Sequence, residues 1–123
     1  MDNTKSQLMK LNNSMNNTIE GNKLIAEFMQ WKHCEDIEYD NYEMSQLKYH
    51  SSWDWLMGVV EKIEELGYDT GICGVMINGE RLTEVMFSPV QKDSKIEIHS
   101  RQPIPKIELT WQSVIQFIKW YNI

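Results

Sequence analysis

The residues best equipped for chemistry in this chain are three histidines, His33, His50 and His99, and two cysteines, Cys34 and Cys73. His33 beside Cys34 offers two adjacent metal ligands, but a tetrahedral site needs about four, and no other ligand is spaced to complete it. Neither cysteine belongs to a CxxC pair, so the sequence gives no reason to expect a metal. Nucleophilic catalysis by a cysteine requires a base within hydrogen-bond reach, and no motif brings either thiol to a histidine. Cys73 sits in an alternating apolar run and is expected to be a buried structural thiol. With no cofactor motif and no catalytic constellation, the chain is expected to be non-enzymatic and to need no cofactor.

Carboxylates are the other reactive group. Glu35, Asp36, Glu38, Asp40 and Glu43 crowd into EDIEYDNYE, and Glu64 and Glu65 are adjacent. Acid–base work normally needs burial to perturb a carboxyl, and so polar a cluster reads as solvated. Its alternative use is as a surface. Residues 35–66 hold nine acids against two bases, whereas residues 91–123 hold three acids against five bases. With a net charge of -6, free duplex nucleic acid is disfavoured as a ligand, because its binding rests on cations that neutralise phosphates. The expected partner is a protein with a basic groove, met by Glu35, Asp36, Glu38, Asp40 and Glu43. A modest basic patch of Lys92, Lys95, Arg101 and Lys106 with His99 could touch RNA already held by such a partner.

These groups are positioned by a small α+β domain. The asparagine-rich residues 1–21 read as a mobile segment with room for a short helix near Gln7–Leu11. A single domain is expected over 22–123. Asn22 is placed to cap a short helix carrying Leu24, Ile25, Phe28 and Met29, with Trp31 at its end. EDIEYDNYE reads as an edge strand or extended loop. Ser51 and Asp54 match a capping box, and a helix is expected from about Ser52 to Leu66 with Trp53, Leu56, Met57, Val60 and Ile63 on its buried face. Gly67 should end that helix in the left-handed conformation. Gly58, costly inside a helix by about 1 kcal/mol, suggests a close approach by another backbone.

Trp55 is turned roughly 200° from Trp53 at about 100° per residue. It either packs a flank with Val59 and Leu66 or stands exposed as a binding anchor, a role that tryptophan often fills. After Gly67 the period becomes two. GICGVMI, Asn78-Gly79 and ERLTEVMF give a hairpin with a two-residue turn, Pro89 closes the second strand, and Ile96 and Ile98 mark a third strand in KIEIHS. Pro103 and Pro105 precede a last helix with Ile107, Trp111, Val114, Ile115, Ile118 and Tyr121 on one face, widened by Phe117 and Trp120. Two longer helices should therefore cover one face of a three- to four-stranded antiparallel sheet, with a short N-terminal helix besides.

NKLIAEFMQW (22–31), YHSSWDWLMGVVEKIEELGYD (49–69) and VIQFIKWYN (114–122) together resemble a family of small proteins encoded by phages and mobile elements of Bacteroidetes. The family carries no assigned activity, so no functional residue transfers. The chain departs from the family pattern in its asparagine-rich start, in Gly58 where proline is common, and in a longer hairpin region. What the resemblance implies is context. It suggests an inhibitor of host defence of the anti-CRISPR type, whose partner would be an RNA-guided effector nuclease with its guide RNA. The rival expectation is a phage structural or regulatory protein that forms a homo-oligomer through its tryptophan-rich helices. No apolar run has membrane-spanning length, so the expected location is the cytoplasm of a bacterial host, away from membranes.

Overall fold

The structure is a computed structural model that describes residues 17–29, 47–91 and 97–122. The chain divides into two compact units, Met1–Leu47 and Lys48–Ile123. In the first, residues 17–28 form helix α1. Asn22 lies inside this helix instead of capping it. Its side chain is buried and its Nδ2 donates to the backbone oxygen of Leu47 at 3.1 Å. The spacing of Leu24, Ile25 and Phe28 correctly indicated a helix, but an asparagine that satisfies a distant carbonyl looks locally like a cap. The expected helix near Gln7–Leu11, Trp31 and the EDIEYDNYE segment lie outside the described residues.

The second unit holds helix α2 (Trp53–Glu65), strands β1 (Tyr68–Ile77), β2 (Glu80–Pro89) and β3 (Ile98–Gln102), and helix α3 (Lys106–Tyr121). The strands form an antiparallel sheet in the order β1-β2-β3. The fold class is thus α+β, as the change of period at Gly67 implies. Asn78 (φ 53°) and Gly79 (φ 80°) both take positive φ, the geometry that lets a two-residue turn follow the twist of its strands. Gly67 (φ 102°) ends α2 and its N–H returns to the Glu64 carbonyl at 3.0 Å. The third strand starts at Ile98, while Ile96 lies outside the described residues.

Pairing fixes which side chains share a face. Thr70, Phe87 and Ile98 lie in one cross-strand row, and Ile72, Val85 and Ser100 in the next. That face is covered, with Val85, Phe87 and Ile98 buried against the helices. Helix α3 lies mainly across β2 and β3, and α2 lies against β1 and α3. Thr83 anchors the approach to α3, its hydroxyl donating to the Ile104 carbonyl at 2.6 Å. The opposite face carries Cys73, Val75, Leu82, Glu84, Met86, His99 and Arg101 by the same register. Cys73 is therefore exposed, not buried. Alternation placed it in a strand correctly but could not say which face the helices would cover.

Both long helices are rotated from the expected orientation. In α2 the buried stripe is Leu56, Val59, Val60 and Ile63, while Trp53 (39% exposed) and Met57 (38%) fall outside it. The stripe has turned by roughly 45° toward Trp55. The reason is local, because Tyr49 places its own buried ring edge-on to Trp55 at 5.2 Å and gives that flank something to pack on. In α3 the buried set is Leu109, Thr110, Ser113, Val114, Phe117 and Ile118. Thr110 and Ser113 are small enough to let the helix approach the sheet, and a pattern based on apolar bulk passes over them. Trp120 and Tyr121 are consequently 43% exposed each.

The expected capping box is absent: Ser52 is the N-cap of α2, without a side-chain capping bond. Among the described residues no close backbone approach explains Gly58 either, since a Cβ built there meets none of them within 4 Å. Gly58→Ala is therefore expected to stabilise the fold by about 0.5–1 kcal/mol in urea unfolding, by removing glycine's entropic cost in the helix. Gly79→Ala should have the opposite sign. It too has open space, but its positive φ makes a Cβ cost about 1 kcal/mol or more. The pair separates conformational cost from steric cost.

Candidate functional site

Among the sequence-derived site residues, Glu35, Asp36, Glu38, Asp40, Glu43, Lys92 and Lys95 lie outside the described residues, as do His33 and Cys34. Trp55 is half-buried in its T-shaped contact with Tyr49, at an interplanar angle of 81°. Trp53, expected in the core, is instead the more exposed of the two tryptophans. Lys106 is exposed at the first position of α3, and Arg101 is exposed on the open face of β3.

The outward side of α2 is acidic. Asp54, Glu61, Glu64 and Glu65 are all exposed. Asp54, Gly58, Glu61 and Glu65 follow one another at helical spacing, and Trp53, Met57 and Glu64 run beside them. Asp54 suits its place in the first turn, where the helix dipole favours negative charge. Glu64 and Glu65 do not suit theirs, because the last turn disfavours anions by about 0.3–1 kcal/mol each. Among the described residues, no ion pair joins any of these four carboxylates to a cation. The surface therefore presents unneutralised charge beside two large apolar side chains, an arrangement suited to recognition rather than to helix stability.

A second cluster stands on the open sheet face. Glu84 accepts from Arg101 Nε, and His99 Nε2 lies 3.2 Å from the same carboxylate oxygen. Register explains the contact, because Arg101 pairs directly with Glu84 and His99 is its diagonal neighbour on β3. The guanidinium, and after it the imidazole, hold the Glu84 carboxyl below its ordinary value. Cys73 lies opposite Glu84 on the other side. Cys73 and His99 are nevertheless separated by the full width of β2, about 9.5 Å between β1 and β3. That is too far for a thiol–imidazole pair, so the row works as a cross-strand clamp. Arg101 thus spends part of its charge within the protein.

The lowered Glu84 value sets the sign of a pH effect. The ionised carboxylate is favoured by the folded state, so its contribution is complete above the unfolded value and fades as pH falls through the folded one. The margin by which the native protein outmelts Glu84→Gln should shrink as pH falls through about 4 and vanish in stronger acid, where the carboxyl is protonated in both states. A margin that survived undiminished in strong acid would contradict this assignment.

Sequence reasoning missed the Glu84 cluster because its members come from two strands. The alternation of ERLTEVMF and KIEIHS contained the needed signal, but only the register makes Glu84, His99 and Arg101 neighbours. No group of three or more histidine, cysteine or acidic side chains among the described residues is arranged to hold a metal ion. No helix among them is long and apolar enough to cross a membrane. No protein-family model, no curated protein and no solved structure matches the chain.

Proposed function

We propose that the protein is a non-catalytic binding protein whose outward α2 face engages a basic surface on a protein partner. The observation that carries the reading is the pair Glu64 and Glu65, exposed at the end of the helix where its dipole opposes them. Acids in that position cost stability, and their retention beside exposed Trp53 and Met57 is accounted for by a partner. Complementary charge would speed encounter, and the apolar pair would supply the desolvated contact. In the setting suggested by the sequence resemblance, the partner is an RNA-guided host nuclease, and occlusion of its basic guide channel is the mode of inhibition. Lys106, exposed at the start of α3, would then be available to RNA already bound there.

The test is the association of the full chain with a purified, guide-loaded nuclease of this class, at low and high salt. The triple variant Glu61→Lys, Glu64→Lys and Glu65→Lys should abolish the salt-sensitive association. It should also melt no lower than the native chain, because the new charges suit the helix end. Binding that survives the reversal would sink the acidic-face reading.

A further inference from the structure

The two edges of the sheet are built differently. The β3 edge is five residues long, carries His99 and Arg101, and runs into Pro103. Charge, brevity and proline are the usual guards against strand addition. The β1 edge is ten residues long, and from Thr70 to Ile77 it contains no charged residue and no proline. Among the described residues, its only strand neighbour is β2.

The hairpin also determines which backbone groups face outward. A tight turn at Asn78-Gly79 closes with the Ile77 carbonyl accepting from the Glu80 N–H, so alternate residues back from Ile77 bond to β2. The far end has the same parity, since the Val90 N–H donates to the Gly67 carbonyl at 2.9 Å. Thr70, Ile72, Gly74 and Met76 must then direct their N–H and C=O groups away from β2.

We propose that two copies of this chain pair antiparallel through β1, with the two-fold axis at Cys73. In this register the outward residues of each copy meet: Ile72 bonds to the partner's Gly74 and Thr70 to the partner's Met76. The even-with-even match gives both sheets the same orientation, so the two sets of helices cover one side of a continuous six-stranded sheet. Gly71 lies opposite the partner's Val75 and Gly74 opposite the partner's Ile72, so β-branched side chains lie where the glycines leave room. No charge lies opposite a like charge, because Asp69 meets the partner's Ile77. This self-complementarity selects a second copy over a charged peptide as the occupant. At the axis, Cys73 and its counterpart form a non-hydrogen-bonded pair with Cα atoms about 4.5 Å apart, within disulfide range.

The experiment uses the full chain. Sedimentation across a concentration series should show a dimer, and Gly74→Pro should raise its dissociation constant by about tenfold or more, since it removes an outward N–H and no β1–β2 bond. The substitution has room, because a Cβ at Gly74 is 3.5 Å from the end of the flexible Arg81 side chain. In a Cys34→Ser background, copper phenanthroline should link the two copies through Cys73, with two thiols passing two electrons to the oxidant and releasing two protons. Adding Cys73→Ser should abolish the link. The cross-linking arm needs no β1 proline, so it stands even if Gly74→Pro fails to fold. A monomer at every concentration, a dimer that a natively folded Gly74→Pro leaves intact, or a dimer that does not cross-link would each overturn the proposal.

Discussion

Replacing Phe117 with alanine is expected to cost about 3–5 kcal/mol of folding free energy, the largest effect of any single truncation considered for this chain. Phe117 is fully buried at the centre of the α3 face that meets the sheet. Tyr68 approaches it edge-on at 4.8 Å, Phe87 lies tilted at 5.9 Å, and Tyr121 stacks on it at 5.7 Å. One ring therefore joins β1, β2 and the end of α3. Its removal forfeits transfer energy and leaves a cavity whose walls belong to three elements, so no single shift can fill it. Aromatic pairing adds about 0.5–1.5 kcal/mol for each good contact. Since domains of this size are stable by only about 5–15 kcal/mol, the variant should melt more than about 10 °C lower and unfold at much lower urea concentration. Phe117→Leu should lose much less. Trp120→Ala is the control: that ring is larger but 43% exposed, and the change should cost clearly less, about 1–2 kcal/mol. Equal losses at Phe117 and Trp120 would contradict the observed orientation of α3.

This contrast shows how far the sequence could be read. Phe117 and Trp120 both belong to the apolar arc of KIELTWQSVIQFIKWYN, and no periodicity ranks them. What ranks them is Thr110 and Ser113, which occupy the sheet-facing side as small residues and turn the helix about its axis. The same lesson holds in α2, where Tyr49 draws the buried stripe toward Trp55. Elements whose signal is confined to backbone conformation were legible without tertiary knowledge. Asn78-Gly79 needs positive φ at both positions, and Gly67 ends a helix, whatever packs around them. Properties that depend on which face meets which neighbour were not legible. Cys73, Asn22 and Gly58 are three such residues. Each has a local chemistry that fits two environments, and a tertiary partner, or the lack of one nearby, decides between them.

The candidate site divides along the same line. Net charge over residues 35–66 is a sum, independent of geometry; the acids that the sequence singles out, Glu35, Asp36, Glu38, Asp40 and Glu43, lie outside the described residues, while Asp54, Glu61, Glu64 and Glu65 of the same stretch are exposed on α2. The sequence offers Trp55 as the aromatic anchor because Trp53 fills the ideal stripe, and rotation of the helix leaves Trp53 the more exposed of the two. The Glu84 cluster needs the pairing of β2 with β3 before its members become neighbours. A charge total needs no fold to be counted, whereas an individual contact does.

The exchange of the two tryptophans makes the second large effect testable, because it predicts opposite consequences for similar substitutions. Trp53→Ala should cost about 1 kcal/mol of stability, less than Trp55→Ala, since the ring lies outside the buried stripe of α2 and is 39% exposed. At a binding surface the same truncation should cost about 2 kcal/mol, or roughly 30-fold in affinity, as expected of an aromatic anchor ringed by polar groups. Trp55→Ala should do the reverse, losing about 2 kcal/mol of stability through its contact with Tyr49 while leaving the affinity of the folded fraction nearly unchanged. Calorimetry for stability and titration for affinity, run on both variants, fill a two-by-two comparison in which a merely structural pair of tryptophans would move only the first measurement. The carboxylates predict a further split. Reversing Glu61, Glu64 and Glu65 should act chiefly through a slower on-rate that high salt erases, whereas Trp53→Ala should act through a faster off-rate that salt does not change. If both variants altered the same rate, the division of labour between a steering acidic stripe and an apolar anchor would be wrong, even with α2 correctly identified as the contact surface.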